Sequence, residues 1–368
     1  MLGKLLSVGL AALLSISSVA SATTAPAPGA RLIATSDTER QWMTESQVFD
    51  LIRRDVHFRD ISDIEEYATG AVVPTPQAAM PIPTSLEYQA EVVELHQSID
   101  MHRYLQKLTT FTSFHTRYYE SPSGVESTMW LLEEINAATQ NGTLPYVEVE
   151  TFEHRFAQPS IIVRFNGTSK RDKDIVILGS HLDSINTASP ATGRAPGADD
   201  DGSGTMTLLE IVRILVDHQF RPYLTLEFHF YAAEEVGLLG SAGVAKAYYE
   251  KGTIVRGMSQ YDMTGYSGYG KIGLIRDYTD PDLGDFLAKL IDEYLLITYE
   301  DSLCGYGCSD HASWNNFGYR SIFTFEAPFG KHSPFIHTVN DTVDNIDLNY
   351  AKEFVKLGLA FAVEMSFP

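Results

Sequence analysis

Between residues 174 and 231 the chain changes twice between two rhythms of apolar spacing. Asp174-Ile-Val-Ile-Leu-Gly179 is a short, nearly unbroken apolar run, as expected of a strand buried on both faces. Thr205 to His218 is mostly apolar over a helical length. Leu224, Leu226, Phe228 and Phe230 then alternate with Thr225, Glu227, His229 and Tyr231, the period of two that a strand shows. Ser321 to Phe325 predicts another strand, while His102 to Phe114, Ser127 to Ala138 and Asn349 to Met365 predict helices. Strands and helices in alternation predict an α/β fold: a mixed, largely parallel sheet sandwiched between helices.

The first eighty-six residues read differently. Lys4 precedes an apolar run from Leu5 to about Ile16, followed by Ser18-Val19-Ala20 and Ala20-Ser21-Ala22. One basic residue, a short apolar core and small residues at its exit describe a signal peptide over 1–22, and hence a secreted, extracellular product. Residues 23–86 carry one helical stretch, Ser46 to Arg54, and end in Pro74, Pro76, Pro81 and Pro83. Prolines at that density favour extended, exposed chain, so this segment is expected to be a propeptide with a Pro-rich linker. Residues 87–368 then form one catalytic domain.

Composition narrows the function. Of 368 residues, 44% are hydrophobic, enough for a sizeable core. Lys and Arg number 27 against 48 Asp and Glu, a formal charge of −21, most of it after residue 86. Such a surface repels phosphate backbones, which excludes nucleic acid as the expected partner. No apolar run reaches transmembrane length, so no membrane partner is expected. A monomer is the expected state. Two cysteines exclude a disulfide-stapled miniprotein and a multi-cysteine zinc module. Secretion permits a bond between Cys304 and Cys308, whose tiny loop would stiffen a local turn. Asn141, Asn166 and Asn340 begin N-x-[ST] sequons, candidates for glycosylation.

The chemistry lies at the predicted strand ends. His181 and Asp183 follow the strand ending at Gly179, and Glu234 and Glu235 follow the one ending near Tyr231. Asp262 follows the apolar-basic stretch Ile254 to Met258, and His337 lies in a loop after the strand ending near Phe325. Asp199-Asp-Asp201 immediately precedes a helix, where Asp201 or Ser203 suits the N-cap. In open α/β sheets, ligands bind beyond the carboxyl ends of the strands, and these residues converge on that edge. Two imidazoles with three or more carboxylates exceed the needs of one catalytic zinc. They suit a pair of divalent metals about 3.5–4 Å apart with a bridging carboxylate. Of the adjacent glutamates, one can bind metal while the other stays free as a base. His229, at an alternating strand position, reads as hydrogen-bonded filler, and His311 as a supporting residue rather than a ligand.

Six strings carry a resemblance: Gly179-Ser-His-Leu-Asp-Ser184, Ala195-Pro-Gly-Ala-Asp-Asp-Asp-Gly-Ser-Gly204, Tyr231-Ala-Ala-Glu-Glu-Val-Gly-Leu-Leu-Gly-Ser241, Gln260-Tyr-Asp-Met263, Cys304-Gly-Tyr-Gly-Cys-Ser-Asp-His-Ala-Ser-Trp314 and Ile336-His-Thr338. In this order they resemble the secreted co-catalytic zinc aminopeptidases of the MH clan, the bacterial leucyl aminopeptidases and their fungal extracellular counterparts. The likeness runs from about residue 99 to the C-terminus. It implies two Zn²⁺ per subunit, with His181 and Asp262 on one, Glu235 and His337 on the other, and Asp200 bridging. It implies Glu234 as general base, Asp183 orienting His181, and a disulfide Cys304–Cys308. The implied substrates are peptides with a free N-terminus, preferably beginning with Leu or another large apolar residue. Met263, Cys304, Tyr306, Phe323, Phe325, Phe329 and Ile336 flank the motifs and suit a pocket for that first side chain. A glutaminyl cyclase with one zinc, a carboxypeptidase of the wider clan and an inactive binding ectodomain share the scaffold. Two complete metal sites disfavour the cyclase, the close motif match disfavours the carboxypeptidase, and the retained ligands and base disfavour the ectodomain.

Overall fold

The computed structural model describes residues 28–36, 38–139, 142–170 and 174–368. The signal-peptide reading over 1–22 and the sequon at Asn141 lie outside them. An N-terminal unit comprises β1 (Arg31–Ala34), β2 (Arg40–Met43), α1 (Glu45–Arg53), β3 (Arg59–Asp60) and α2 (Glu65–Ala68). The large domain follows with α3 (Gln89–His96), α4 (Met101–Phe111), α5 (Pro122–Ala138), β4 (Val147–Phe152), β5 (Ser160–Phe165), β6 (Asp174–His181) and α6 (Gly202–Asp217). It continues through β7 (Thr225–Tyr231), α7 (Leu239–Glu250), β8 (Ile254–Tyr261), β9 (Lys271–Ile275) and α8 (Pro281–Tyr294). It closes with β10 (Thr298–Ser302), α9 (His311–Asn316), β11 (Ser321–Phe325) and α10 (Leu348–Ser366).

Eight strands form one sheet in the order β10-β9-β11-β8-β6-β7-β5-β4. Its centre, β11-β8-β6-β7, is parallel throughout, and antiparallel pairs bring in β9 on one side and β5 and β4 on the other. The architecture is therefore the expected mixed, largely parallel sheet between helices. Parallel central strands buried on both faces explain the unbroken apolar run of β6, all eight residues of which are buried. From β6 the chain crosses by α6 to β7 on one side, then by α7 to β8 on the other side of β6. The strand order thus reverses at β6, and a crevice opens at the carboxyl ends of β6, β7 and β8. One core joins α4, α5, α6, α8 and α10 on one face, and a second joins α7 and α9 on the other.

The alternation in β7 conceals a difference from the usual half-solvated strand. Its polar row is as buried as its apolar row. Glu227 accepts from Arg164 Nε (2.6 Å) and Tyr248 (2.8 Å) and lies 2.9 Å from His229 Nε2, while His229 Nδ1 lies 3.0 Å from the Tyr231 hydroxyl. Trp314 completes the chain by donating to Tyr231. A buried polar row is stable when its members satisfy one another. Burial would raise Glu227, but His229 and Arg164 hold it at about 2.

The N-terminal unit is packed against the large domain rather than strung beside it. β1 lies between β2 and β3, and Ile33, Val48, Leu51 and Ile52 share a core with Tyr118, Tyr119, Ile185, Ala233 and Val236. The Pro-rich stretch that follows is extended and largely exposed, yet anchored: Pro81 O accepts from Arg256, which also bonds Met365 O and Phe367 O. Of the described sequons, Asn340 is exposed, whereas Asn166 is half-buried and donates to Glu148.

His96 joins α3 to α10 through Nε2 and Lys356 O, 3.0 Å apart. Burial lowers it from 6.5 to about 4, so on acidification the unfolded chain binds the proton first. Its stabilising contribution is therefore complete above pH 6.5 and is lost as the pH falls towards 4. Denaturant midpoints measured across that window are expected to fall less steeply for His96→Phe than for the wild type. Equal slopes would contradict the assignment.

Candidate metal centre

The crevice at β6 collects donors from four elements. His181 ends β6, Asp262 follows β8 by one residue, Glu234 and Glu235 lie three and four beyond β7, and Asp200 precedes α6. His337 arrives on the loop between β11 and α10. His181, Asp200 and Asp262 form one group able to hold a metal ion, and Asp200, Glu235 and His337 form another. Asp200 belongs to both. Its Oδ1 stands 3.1 Å from His181 Nε2 and its Oδ2 3.0 Å from His337 Nε2. His181 Nε2 lies 3.5 Å from Asp262 Oδ1, and His337 Nε2 lies 3.0 Å from Glu235 Oε2.

These separations test the fit to zinc. Ligands about 2.1 Å from a tetrahedral ion stand roughly 3.4 Å from one another, close to the 3.0–3.5 Å found here. The donor set is nitrogen and oxygen, which zinc accepts. Glu235 Oε1 is buried without a hydrogen-bond partner, an atom that a cation would satisfy. The residues fit the metal.

Several residues aim the donors. Asp183 Oδ1 stands 3.5 Å from His181 Nδ1, and its two oxygens accept from the amides of Glu234 (3.0 Å) and Glu235 (3.2 Å). One carboxylate thereby fixes the glutamate turn and lies beside the His181 ring. Ala233 (φ 56°), Met263 (φ 61°) and His337 (φ 56°) lie in the left-handed region that side chains with a Cβ disfavour. Such conformations persist where surrounding contacts enforce them. Met263 N donates to Asp201 Oδ1 (3.0 Å), and Thr187 N donates to His337 O (3.0 Å). Asp201 is the N-cap of α6, one of the two residues expected there, and also accepts from His181 N. It ties the ends of β6 and β8 to the helix start. Gly204 is required at that junction, since a Cβ would lie 2.1 Å from Tyr261 O.

The electrostatics follow from burial. Burial and the neighbouring Asp200 charge push Glu235 up to about 7, against the pull of His337. Burial also places Glu234 well above the usual carboxylate range; His181 opposes the rise, and Asp262, Asp310 and Glu235 add to it. For Asp200 burial is overcome by hydrogen bonds from His181 and His337, which hold it well below that range. Burial would lower both imidazoles, but Asp262 and Glu235 respectively lead the carboxylates that keep them well above 6.5.

Sequence reasoning missed three contributors. Asp341 accepts from the amides of Asp199 (2.9 Å) and Asp200 (3.0 Å), so it positions the shared carboxylate. Ser309 donates to Asp262 Oδ2 (2.7 Å). Arg117, fully buried, donates to Leu182 O, Pro196 O and Gly197 O and knits the loops bearing Asp183 and Asp200. Ser309 lies within the Cys304–Trp314 string, but Asp341 sits in a sequon and Arg117 stands alone in sequence, with no pattern to mark either. His229 and His311 are not among the grouped donors. Cys304 and Cys308 face each other with sulfurs 2.02 Å apart, beside the cleft.

The description "Peptidase family M28" matches residues 160–362. A probable leucine aminopeptidase of Trichophyton verrucosum is 40% identical over 361 residues, covering 97% of this chain and 98% of its own. The crystal structure of the Legionella pneumophila aminopeptidase LapA superposes with a TM-score of 0.80 at 28% identity, covering 92% of this chain and 98% of that one. A glutaminyl cyclase of Bacteroides thetaiotaomicron shares the fold at 20% identity, with a TM-score of 0.58 over 72% of this chain and 98% of that one.

If Asp183 orients His181, Asp183→Asn is expected to weaken zinc binding by about 10–100-fold. Competition against a chromophoric chelator measures this, with circular dichroism checking the fold. Unchanged affinity would remove Asp183 from the site.

Proposed function

Because the chain belongs to peptidase family M28 and is a zinc-dependent hydrolase of peptide bonds, we propose that it is a secreted leucine aminopeptidase working with two zinc ions. His181 and Asp262 would hold one ion and Glu235 and His337 the other, with Asp200 shared. The observation that carries this reading is the division of Asp200, one oxygen to each histidine. Zinc bound there supplies Lewis acidity, which lowers the pKa of water and polarises a carbonyl.

The chain's own residues supply the remainder. Glu234 lines the cleft and, among the described residues, its carboxylate has no hydrogen-bond partner, which leaves it free for substrate or water. In this reading it takes a proton from the attacking water and delivers it to the departing amine. Burial favours its protonated form, which assists uptake of the proton from the water. Asp200, Glu234, Glu235 and Asp262 line the cleft and attract the positively charged amino terminus of a peptide. Beside them Met263, Phe323, Phe325, Phe329 and Ile336 form an apolar wall suited to a leucine-like first side chain.

The same reading assigns residues 1–22 to a signal peptide, 23–86 to a propeptide and 87–368 to a monomeric mature enzyme. The Cys304–Cys308 disulfide and a glycan on exposed Asn340 fit that extracellular setting.

The test is turnover of Leu-p-nitroanilide beside its N-acetylated form, by wild type and Glu234→Gln. The wild type is expected to cleave the free amine alone. The variant is expected to retain its zinc and lose about 10²–10⁴-fold in kcat. Full activity in Glu234→Gln would refute its role as base, and cleavage of the acetylated substrate would refute the aminopeptidase.

A further inference from the structure

Of the parallel strands at the centre of the sheet, β6, β7 and β8 each deliver a metal donor at or just beyond the carboxyl end: His181, Glu235 and Asp262. β11 runs parallel beside β8 and ends at the same crevice, yet the residue that follows it, Glu326, is not among the grouped donors. Glu326 is fully buried. A carboxylate kept out of water at the end of a central strand needs partners of its own.

Those partners come from three loops that carry donors. Oε2 accepts from Tyr266 N (2.7 Å) and Oε1 from Ser333 N (2.8 Å). Tyr266 lies four residues after Asp262, and Ser333 four before His337. The third partner is the carboxyl group of Asp199, the residue before Asp200, which hydrogen-bonds to Glu326. Burial and the Glu326 charge hold Asp199 well above the usual carboxylate range, so Asp199 is the donor of that bond. Asp199 Oδ1 also accepts from Gly265 N (2.9 Å), so the two carboxyl groups together clasp consecutive amides beyond Asp262. Glu326 is itself held firmly. Its main-chain oxygen accepts from the Tyr350 hydroxyl of α10 (2.7 Å). Beside it β9 runs so close that a Cβ on Gly273 would lie 2.1 Å from Ala327 O. One fixed strand end thus reaches the loops of Asp262, His337 and Asp200 at once.

Resting on the two-metal reading above, we propose that Glu326 is a positioning residue for the whole metal centre, its carboxylate setting the spacing of Asp262, His337 and Asp200. Asp262 and His337 belong to different donor groups and Asp200 to both, so this one side chain acts on the two sites together. Asp341 secures the loop of Asp200 alone, and Ser309 the Asp262 carboxylate alone. Glu326 secures the loops to one another. Without it the donors keep their identity but lose their common reference, and their spacing of 3.0–3.5 Å is no longer enforced. Metal–ligand lengths tolerate errors of only about 0.2 Å, so such a loss is felt as weaker binding of both ions.

The experiment compares the wild-type chain with Glu326→Ala, Glu326→Gln and Tyr350→Phe. Tyr350→Phe removes a bond to the same strand end but leaves the carboxylate in place. Each protein is stripped of metal and titrated with zinc against a chromophoric chelator. Circular dichroism and a denaturant midpoint record fold and stability, and the visible spectrum of the cobalt-loaded protein reports donor geometry. Glu326→Ala is expected to bind zinc about 10–100-fold more weakly at both sites and to alter the cobalt spectrum. Glu326→Gln, which still accepts from one amide and can donate to Asp199, is expected to fall between Glu326→Ala and the wild type. Tyr350→Phe is expected to keep the wild-type affinity and spectrum even if its denaturant midpoint falls. Wild-type affinity in Glu326→Ala would overturn the proposal, and so would weakening confined to one site. An equal loss in Tyr350→Phe would also overturn it, by assigning the effect to the strand end as scaffold. If Glu326→Ala does not fold, wild-type affinity in Glu326→Gln overturns the proposal instead. A wild type that binds one zinc would refute the two-metal reading, while the affinity for that ion would still decide the role of Glu326.

Discussion

Negative charge packed out of water is the constraint around which this molecule is organised. Asp183, Asp199, Asp200, Asp201, Asp262, Asp310, Glu326 and Asp341 are all buried, with the Glu235 side chain only 3% exposed. So many carboxylates cannot ionise together in a low-dielectric interior unless positive charge or hydrogen-bond donors accompany them. Backbone amides provide part of the answer: Asp183, Asp201 and Asp341 each accept from two or more main-chain N–H groups. Arg117 brings one buried cation, felt by Asp341, Asp183, Asp201 and Asp200. The residue of the imbalance shows as raised pKa values, Asp310 and Glu326 near 7 and Asp341 near 6, each pushed up chiefly by burial. Divalent metal held by these donors would meet the same need, and the cluster suits cations.

That constraint also explains where the cluster sits. A reversal of strand order at β6 opens a crevice, and the parallel central strands deliver their ends to it together. The left-handed residues at Ala233, Met263 and His337 turn the chain sharply just where a donor has to face inward. The N-terminal unit extends the arrangement, because its core residues pack on Ala233 and Val236, which flank the glutamate pair. That unit therefore supports the turn carrying Glu234 and Glu235.

Much of this was legible in the sequence. β6, α6 and β7 declared themselves by period, and His181, Glu235 and Asp262 fall at or just after strand ends, so a rule about sheet edges predicts their convergence. What was hidden depends on contacts between distant residues. The polar row of β7 has the same spacing as a solvated face; only the arrival of Tyr248 and Trp314 from α7 and α9 makes it a buried network. The N-terminal strands are two to four residues long, too short for a period to emerge, and the prolines beyond them suggested a free linker. Its anchoring by Arg256 is invisible without the fold. Asp341 and Arg117 act through main-chain groups, which leave no side-chain pattern to read.

The central claim is that Asp200 stands between two metal ions. Crystallographic anomalous difference maps from active protein, collected on either side of the zinc absorption edge, test it most directly. Two peaks are predicted, about 3.5–4 Å apart, one toward His181 and Asp262 and the other toward Glu235 and His337. A single peak in fully active protein, or peaks that do not flank Asp200, would contradict the account.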